Sequence, residues 1–359
     1  MMAASDGKGR WIFLKRVSNL PAMVVKRTKM GVIGVGHLGK FHVQQLLEIA
    51  DAEIIGLHDI DPAAASEVGA QHAVPVFDNL DDLLAQVDAV SIVVSTRNHF
   101  TVASRALAAG CHVFIEKPIT PSLEEADQLL KIAERRDLLV QVGHIERLNP
   151  ALTALEELAP NPRFIEGHRL APFTSRGTDV PVVLDLMIHD IDVVLSLVKS
   201  PLKEVRASGV AVITDSADIA TARLEFENGA VANLTASRIS QKQMRKLRLF
   251  QNELYISIDF LQQLTEVYRL VPPDGSNEGA AMTMPFSHNG RERLITYEKP
   301  HIADYNPLRM ELSNFVRSVA GLEKPVVDGH SARAALDVAA KIQAAIDGNP
   351  LHVAAAKEG

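Results

Sequence analysis

From residue 30 to about residue 142 the chain places apolar residues in short continuous runs, separated by segments of helical period. The runs at 31–35, 53–58, 74–77, 89–94, 112–115 and 138–142 do not alternate with polar residues. Unbroken apolar strands are those of a parallel sheet covered on both faces. Between them, Leu123, Ala126, Leu129, Leu130 and Ala133 stand at offsets of 0, 3, 6, 7 and 10, one face of a helix. Gly110 ends the preceding helix, 101–109, in the manner of a C′ residue. The pattern predicts a doubly wound α/β domain with its ligand crevice at the carboxyl ends of the strands.

After Asn149-Pro150 the texture changes. Helical segments at 151–158 and 187–198 precede a strand-rich stretch from 202 to 270. Asn228-Gly229, between the runs 221–226 and 231–237, marks a hairpin turn. Strands that follow one another without helices predict an α+β domain with an open, largely antiparallel sheet. Residues 272–289 read as a polar loop, and helical patterns return at 307–319 and 332–346. The expected division is an extension at 1–29, a first domain at 30–148 and a second at 149–359. The extension carries seven Lys or Arg against one acid, Asp6, and its apolar cluster, 11–14, is shorter than a secretory core. With Met23 and Met30 as alternative starts, it reads as a disordered tail or a miscalled beginning.

Composition narrows the class. The chain has 359 residues, 47% hydrophobic and 23% charged, which fits a globular protein with two cores. A net charge of −7 argues against a nucleic-acid surface. No apolar run reaches the roughly 20 residues that cross a bilayer. The single cysteine, Cys111, makes no internal disulfide, so a cytoplasmic setting is expected, and Cys111 reads as a small core residue. No metal site is expected.

Chemistry enters at the end of the first strand, in Gly34-Val-Gly36-His37-Leu38-Gly39. Gly34 permits a tight strand-to-helix turn, Gly36 lets a pyrophosphate approach the backbone, and Gly39 lets the helix pack on the sheet. The N–H groups of the helix start then face the phosphates. The second strand ends in Asp59, 20 residues beyond Gly39, where a carboxylate bonds the adenosine ribose and repels a 2′-phosphate. NAD is therefore expected over NADP, with Asp61 as the alternative ribose partner.

Two further groups of residues carry candidate chemistry. Glu116-Lys117-Pro118 follows the fifth strand, at the crevice. Pro118 holds Lys117 extended, so that it either donates to a substrate oxygen or pairs with Glu116 at the surface. Within 180–198, Asp185, His189, Asp192 and Ser196 fall on one narrow helical stripe with aliphatic flanks. The stripe reads either as a solvated face or as a partly buried polar row. In the second case Asp185 and His189, at i and i+4, are expected to pair, raising the imidazole's pKa for general-base work.

Together these residues resemble the glucose–fructose oxidoreductase/inositol dehydrogenase family, Gfo/Idh/MocA. The resemblance runs from Met30 to about Ile346 and rests on four motifs in order: GVGHLGKFH with His42, Thr96-Arg-Asn-His99, GCHVFIEKP with Lys117, and the helix Asp185-xxx-His189. It implies catalysis by Lys117, Asp185 and His189: the histidine takes the hydroxyl proton and the lysine bonds the reacting oxygen. It also implies a cofactor site of NAD built by Gly34, Gly36, His37, Leu38, Gly39 and Asp59, with Thr96, His99, Glu116 and Lys117. The second domain is implied to wall the substrate pocket and to join a homodimer or homotetramer through its sheet. Ser95, Met187 and Val180-Pro-Val-Val183 depart from the family pattern, and the last two bear on the pocket's shape.

Narrower likenesses lie in Gly143-His-Ile-Glu-Arg147-Leu-Asn149-Pro150, Arg169-Leu-Ala-Pro-Phe173 and Arg176-Gly-Thr178-Asp179. These are similar to a subgroup that dehydrogenates UDP-N-acetylglucosamine at C3 for lipid A-type 3-amino sugars. Arg147, Arg169 and Arg176 are then candidates for a pyrophosphate clamp, or ordinary surface arginines, and Asn149 and Asp192 join the substrate set. The alternatives are a free-sugar or cyclitol dehydrogenase, an NAD-dependent glycosidase, and a non-enzymatic NAD sensor.

Overall fold

The computed structural model describes residues 27–174, 180–275 and 279–348. The first domain is a sheet of five parallel strands, β1 (Thr28–Ile33), β2 (Ala52–His58), β3 (Ala89–Ile92), β4 (His112–Glu116) and β5 (Val140–Gly143), in the order β2-β1-β3-β4-β5. Thr28 and Lys29, assigned by sequence to the extension, belong to β1, where they pair with Ala52 and Glu53. The rest of the extension, 1–26, lies outside the described residues. The expected strand at 74–77 is reduced to a single bridge between Leu57 and Val76. Pro75 lacks the N–H that a longer ladder needs, and it offers only its carbonyl, to Leu57.

Helices cover both faces of this sheet. In helix Leu123–Arg136, the Ser122 hydroxyl caps the Glu125 N–H and the expected apolar face is buried. Gly110 has φ +90° just past helix His99–Ala108, as its place in the sequence implied.

The second sheet has nine strands: β6 (Phe164–Leu170), β7 (Leu202–Val210), β8 (Ile219–Phe226), β9 (Val231–Ser237), β10 (Met244–Gln251), β11 (Leu254–Asp259), β12 (Leu264–Val271), β13 (Met282–His288) and β14 (Arg291–Glu298). Their order is β13-β14-β12-β11-β10-β6-β9-β8-β7, antiparallel except for β6 beside β9. The Asn228-Gly229 turn joins β8 to β9, with Gly229 at φ +80°. The stretch read as a polar loop at 272–289 contains β13, which turns into β14 at Asn289-Gly290, both at positive φ. That pair is the same turn signal as Asn228-Gly229.

Two long C-terminal helices tie the domains together. Helix Pro307–Val319 returns to the first domain, where Leu312, Phe315 and Val316 pack with Met30, Val32 and Phe114. The division at 148/149 therefore leaves a first-domain helix in the second segment. Helix Gly329–Asp347 enters both cores, through Ala332 and Leu336 on one side and Ala339, Ile342 and Ile346 on the other. These contacts fix the second sheet against the crevice end of the first.

Candidate active site

The glycine turn has the geometry its spacing implied. Gly34 has φ +87°, and a Cβ there would stand 2.6 Å from the Val93 carbonyl. A Cβ on Gly39 would overlap the Gly34 carbonyl, whereas one on Gly36 would meet nothing within 4 Å. The first and third glycines close the turn on itself. The second opens onto empty space beside the N-terminus of helix Gly39–Leu47, the cradle that a pyrophosphate fills. His37 and Leu38 follow it on the exposed rim.

Asp59 fits the ribose position and also braces the turn. Its Oδ2 accepts the Val35 N–H at 2.7 Å and its Oδ1 accepts the Asp61 N–H at 2.9 Å. A carboxylate has about four acceptor sites, so room remains for ribose hydroxyls. Asp61 is instead occupied as the N-cap of helix Pro62–His72. The residues present fit a dinucleotide.

Across the crevice, His42 joins Ser91 Oγ at 2.9 Å to Glu116 Oε1 at 3.1 Å. Gly143 leaves room for this carboxylate: a Cβ there would lie 2.9 Å from Glu116 Oε1 and press the group aside. Burial alone would raise the Glu116 pKa, but His42 and Lys117 outweigh it and hold the carboxyl below its usual value. Thr96 is half-buried at the start of the 3₁₀ turn Thr96–Asn98. His99 is buried beside the crevice. Its Nδ1 lies 2.8 Å from the Pro118 carbonyl and its Nε2 3.1 Å from the Val94 carbonyl, so the buried ring ties two crevice loops together.

Lys117, Asp185 and His189 come together at the crevice, with one change of partner. Lys117 Nζ donates to the Asp185 carbonyl at 2.7 Å and lies 3.7 Å from its Oδ1. Among the described residues no hydrogen bond joins Asp185 to His189, and His189 Nδ1 has no partner. The reason is local. Val183–Met187 is a π turn, i→i+5, leading into helix Ile188–Val198, so the i,i+4 register fails at Asp185. Met187, at the end of that turn, is fully buried.

The expected rise in the histidine pKa is reversed accordingly. Burial pushes His189 well below 6.5, and Lys117, Arg169, His144 and Arg245 push the same way. A depressed pKa keeps the imidazole neutral, able to accept a proton at physiological pH. Burial also lowers Lys117, against the opposing pull of Asp185 and Glu116.

Arg169 and Arg147 are internal. Arg169, 2% exposed, donates Nε and Nη2 to Asp190 at 2.9 and 2.8 Å and Nη1 to Glu146 at 2.9 Å. Arg147 forks onto buried Asp192 at 2.7 and 3.1 Å. All three Arg169 nitrogens are engaged by carboxylates, and Arg147 is held through Nε and Nη2 by Asp192. Asn149 is structural: it caps Ala151 and donates to Glu146 and to the Phe260 carbonyl. Arg176 lies outside the described residues, with Thr178 and Asp179.

Several neighbours escaped the sequence reading. Glu146 and Asp190 carry the counter-charges of Arg169. His144, 1% exposed, sets its ring edge-on to His189 with centroids 6.4 Å apart; among the described residues neither of its nitrogens has a hydrogen-bond partner, and Nδ1 lies 4.0 Å from Asp192 Oδ2. Arg245 on β10 stands opposite Arg169 in the ladder. Glu311, from helix Pro307–Val319, is buried, and burial followed by Glu116 and Asp192 pushes its pKa well above 4.5. His144 and Glu146 stood within a quoted motif. Arg245 and Glu311 carry no local signal.

Comparison with known proteins gives the same outline. The family described as "Oxidoreductase family, NAD-binding Rossmann fold" matches residues 28–144, and "GFO/IDH/MocA C-terminal domain" matches 162–257. The chain is 40% identical to UDP-N-acetylglucosamine 3-dehydrogenase of Acidithiobacillus ferrooxidans over 326 residues, covering 90% of this chain and 98% of that one. It is 24% identical to myo-inositol 2-dehydrogenase of Thermotoga maritima, covering 86% and 93% of the two chains. A solved structure of the Acidithiobacillus ferrooxidans protein superposes with a TM-score of 0.79 at 38% identity, covering 89% of this chain and 98% of that one. That of apo scyllo-inositol dehydrogenase from Lactobacillus casei gives 0.71 at 21% identity, with 90% and 97% covered, a likeness of fold. The chain belongs to the Gfo/Idh/MocA oxidoreductase family.

Proposed function

We propose that this protein is an NAD-dependent dehydrogenase that oxidises the C3 hydroxyl of UDP-N-acetylglucosamine to the ketone, a step toward a 3-amino sugar. The observation that carries the substrate is the 40% identity to UDP-N-acetylglucosamine 3-dehydrogenase over 98% of that protein. The chemistry rests on a neutral His189 beside Lys117.

His189 accepts the hydroxyl proton. Lys117 donates to the same oxygen and stabilises the negative charge that develops as the proton leaves. The Asp185 carbonyl orients the ammonium, and its carboxylate favours the charged form. Bound NAD would supply the acceptor for the hydride that leaves the sugar carbon. The Gly36 cradle and the helix start would hold its phosphates, with Asp59 on the ribose. A 2′-phosphate beside Asp59 costs about 1 kcal/mol in water and about 4 at an effective dielectric of 20. NAD should thus bind several-fold to roughly 10³-fold more tightly than NADP in a titration.

Two settings accompany this reading. The outer face of the second sheet carries an aromatic row across five strands, Phe164, Phe250, Tyr255, Tyr268 and Tyr297, with successive ring centroids 5.8, 4.9, 5.4 and 4.9 Å apart. Such a face supports a homodimer or homotetramer formed through the sheet. Buried Cys111, with no disulfide partner in the sequence, supports a reducing cytoplasm. Among the described residues no helix is long and apolar enough to cross a membrane.

The test is NADH formation with UDP-N-acetylglucosamine, free N-acetylglucosamine and myo-inositol side by side. An aminotransferase and amino donor are present to draw off the ketone. Turnover of the nucleotide sugar is expected. Turnover of inositol alone would replace this reading with a cyclitol dehydrogenase.

A further inference from the structure

Two of the residues expected to clamp a diphosphate, Arg147 and Arg169, pair with carboxylates, yet the site face of the second sheet offers another guanidinium. In β10, Leu247 and Leu249 are buried in the second core, so the two-residue alternation puts Arg245 on the same inner face. The ladder sets Arg245 directly opposite Arg169 on β6. The two guanidiniums differ sharply in what they touch. Arg169 is sealed by Asp190 and Glu146.

Arg245 approaches Glu146 Oε1 only to 3.6 Å, an oxygen that Arg169 already occupies at 2.9 Å. The other Glu146 oxygen accepts Asn149. Among the described residues the Arg245 side chain therefore makes an ion pair but no hydrogen bond, and it stays 47% exposed. Its five N–H donors are available in a planar fork that matches phosphate oxygens two at a time. Glu146 fixes its position without satisfying it. Nearby, Arg238, just past β9, donates to the Val180 carbonyl, and Arg147, on the turn Ile145–Leu148, donates to Asp192.

We propose that Arg245 is the diphosphate-binding residue of the substrate site, its fork taking the phosphate oxygens of a nucleotide sugar while Lys117 and His189 act on the sugar. This rests on the nucleotide-sugar reading above. Binding energy gained at the remote diphosphate positions the reacting hydroxyl, so Arg245 sets specificity for the nucleotide-bearing substrate.

The experiment is calorimetric titration of the NAD-loaded protein with UDP, comparing wild type, Arg245→Gln and Arg245→Lys. Wild type should bind UDP, and Arg245→Gln should bind it about 10- to 150-fold more weakly, the scale of a charged hydrogen bond. Arg245→Lys should fall between, because it keeps the charge and loses the fork. The KM for UDP-N-acetylglucosamine should rise with the UDP dissociation constant, while NAD affinity stays unchanged.

UDP binding by Arg245→Gln within twofold of wild type overturns the proposal and leaves the nucleotide-sugar reading standing. Should Arg245→Gln lose NAD binding as well, Arg245→Lys decides: wild-type UDP affinity there overturns the role of the fork. A wild-type protein that binds no UDP has a different meaning. It removes the nucleotide-sugar reading itself, and the proposal with it.

Discussion

The two ends of the crevice are built from different material. At the proposed cofactor end the surface is mainly backbone, three glycines and a helix start, with one side-chain carboxylate, all between Gly34 and Asp59. At the proposed substrate end it is formed by side chains from β6, β10, the segments that follow β4 and β5, and the helical segments, held by Arg169–Asp190–Glu146 and Arg147–Asp192. A backbone site needs particular residues at fixed local spacing. A side-chain site needs partners that only the tertiary fold brings together.

That contrast sets what each kind of substitution should do. The largest effect falls on turnover. His189→Ala and Lys117→Ala should each lower kcat by about 10²–10⁴, the usual share of a general acid or base, with NAD affinity retained in fluorescence titration. A His189→Ala variant keeping half the wild-type kcat would assign the base elsewhere.

Next comes stability at the substrate end. Arg169→Met leaves Asp190 and Glu146 buried without their common cation, and denaturant unfolding should register a loss of about 3–5 kcal/mol. A loss below about 1 kcal/mol would mean that the network is not what holds this end together.

The smallest stability effects, and the sharpest contrast, belong to the glycines. Gly39→Ala overpacks the turn against the Gly34 carbonyl and should cost about 1–3 kcal/mol. Gly36→Ala enters open space and should leave the melting temperature unchanged while weakening NAD binding. Equal destabilisation by the two would show that Gly36 serves the fold rather than a ligand.

The same contrast explains what the sequence made legible. The glycine turn and the parallel strands were readable because each depends on spacing along one segment, whereas spacing alone left Lys117 and His189 open and their roles came from the family resemblance. Strand β6, at the centre of the second sheet, was not read as a strand. Its inner face is Ile165, Gly167 and Arg169, so the apolar half of the alternation is replaced by a glycine and a site cation. The edge strand β13 was hidden for a different reason, since both of its faces are exposed and no burial pattern marks it.

The Asp185–His189 pairing failed because one π turn, invisible in composition, moves Asp185 out of register. Arg147 and Arg169 were recognised as significant residues but given the wrong partner. A buried arginine and a phosphate-binding arginine look alike until the carboxylates around them are placed.

The central claim is that His189 acts as a base kept neutral by burial and neighbouring cations, with no carboxylate to raise its pKa. The most direct test is the pH dependence of kcat/KM for the nucleotide sugar. The rate should be flat at neutral pH and fall on the acid side only below pH 6.5, where the neutral imidazole is lost. The alkaline limb should lie below 10.5, where the lowered Lys117 gives up its proton. An acid limb at or above pH 6.5 that disappears in Asp185→Asn would contradict this, because it would show a histidine charged by its neighbouring carboxylate.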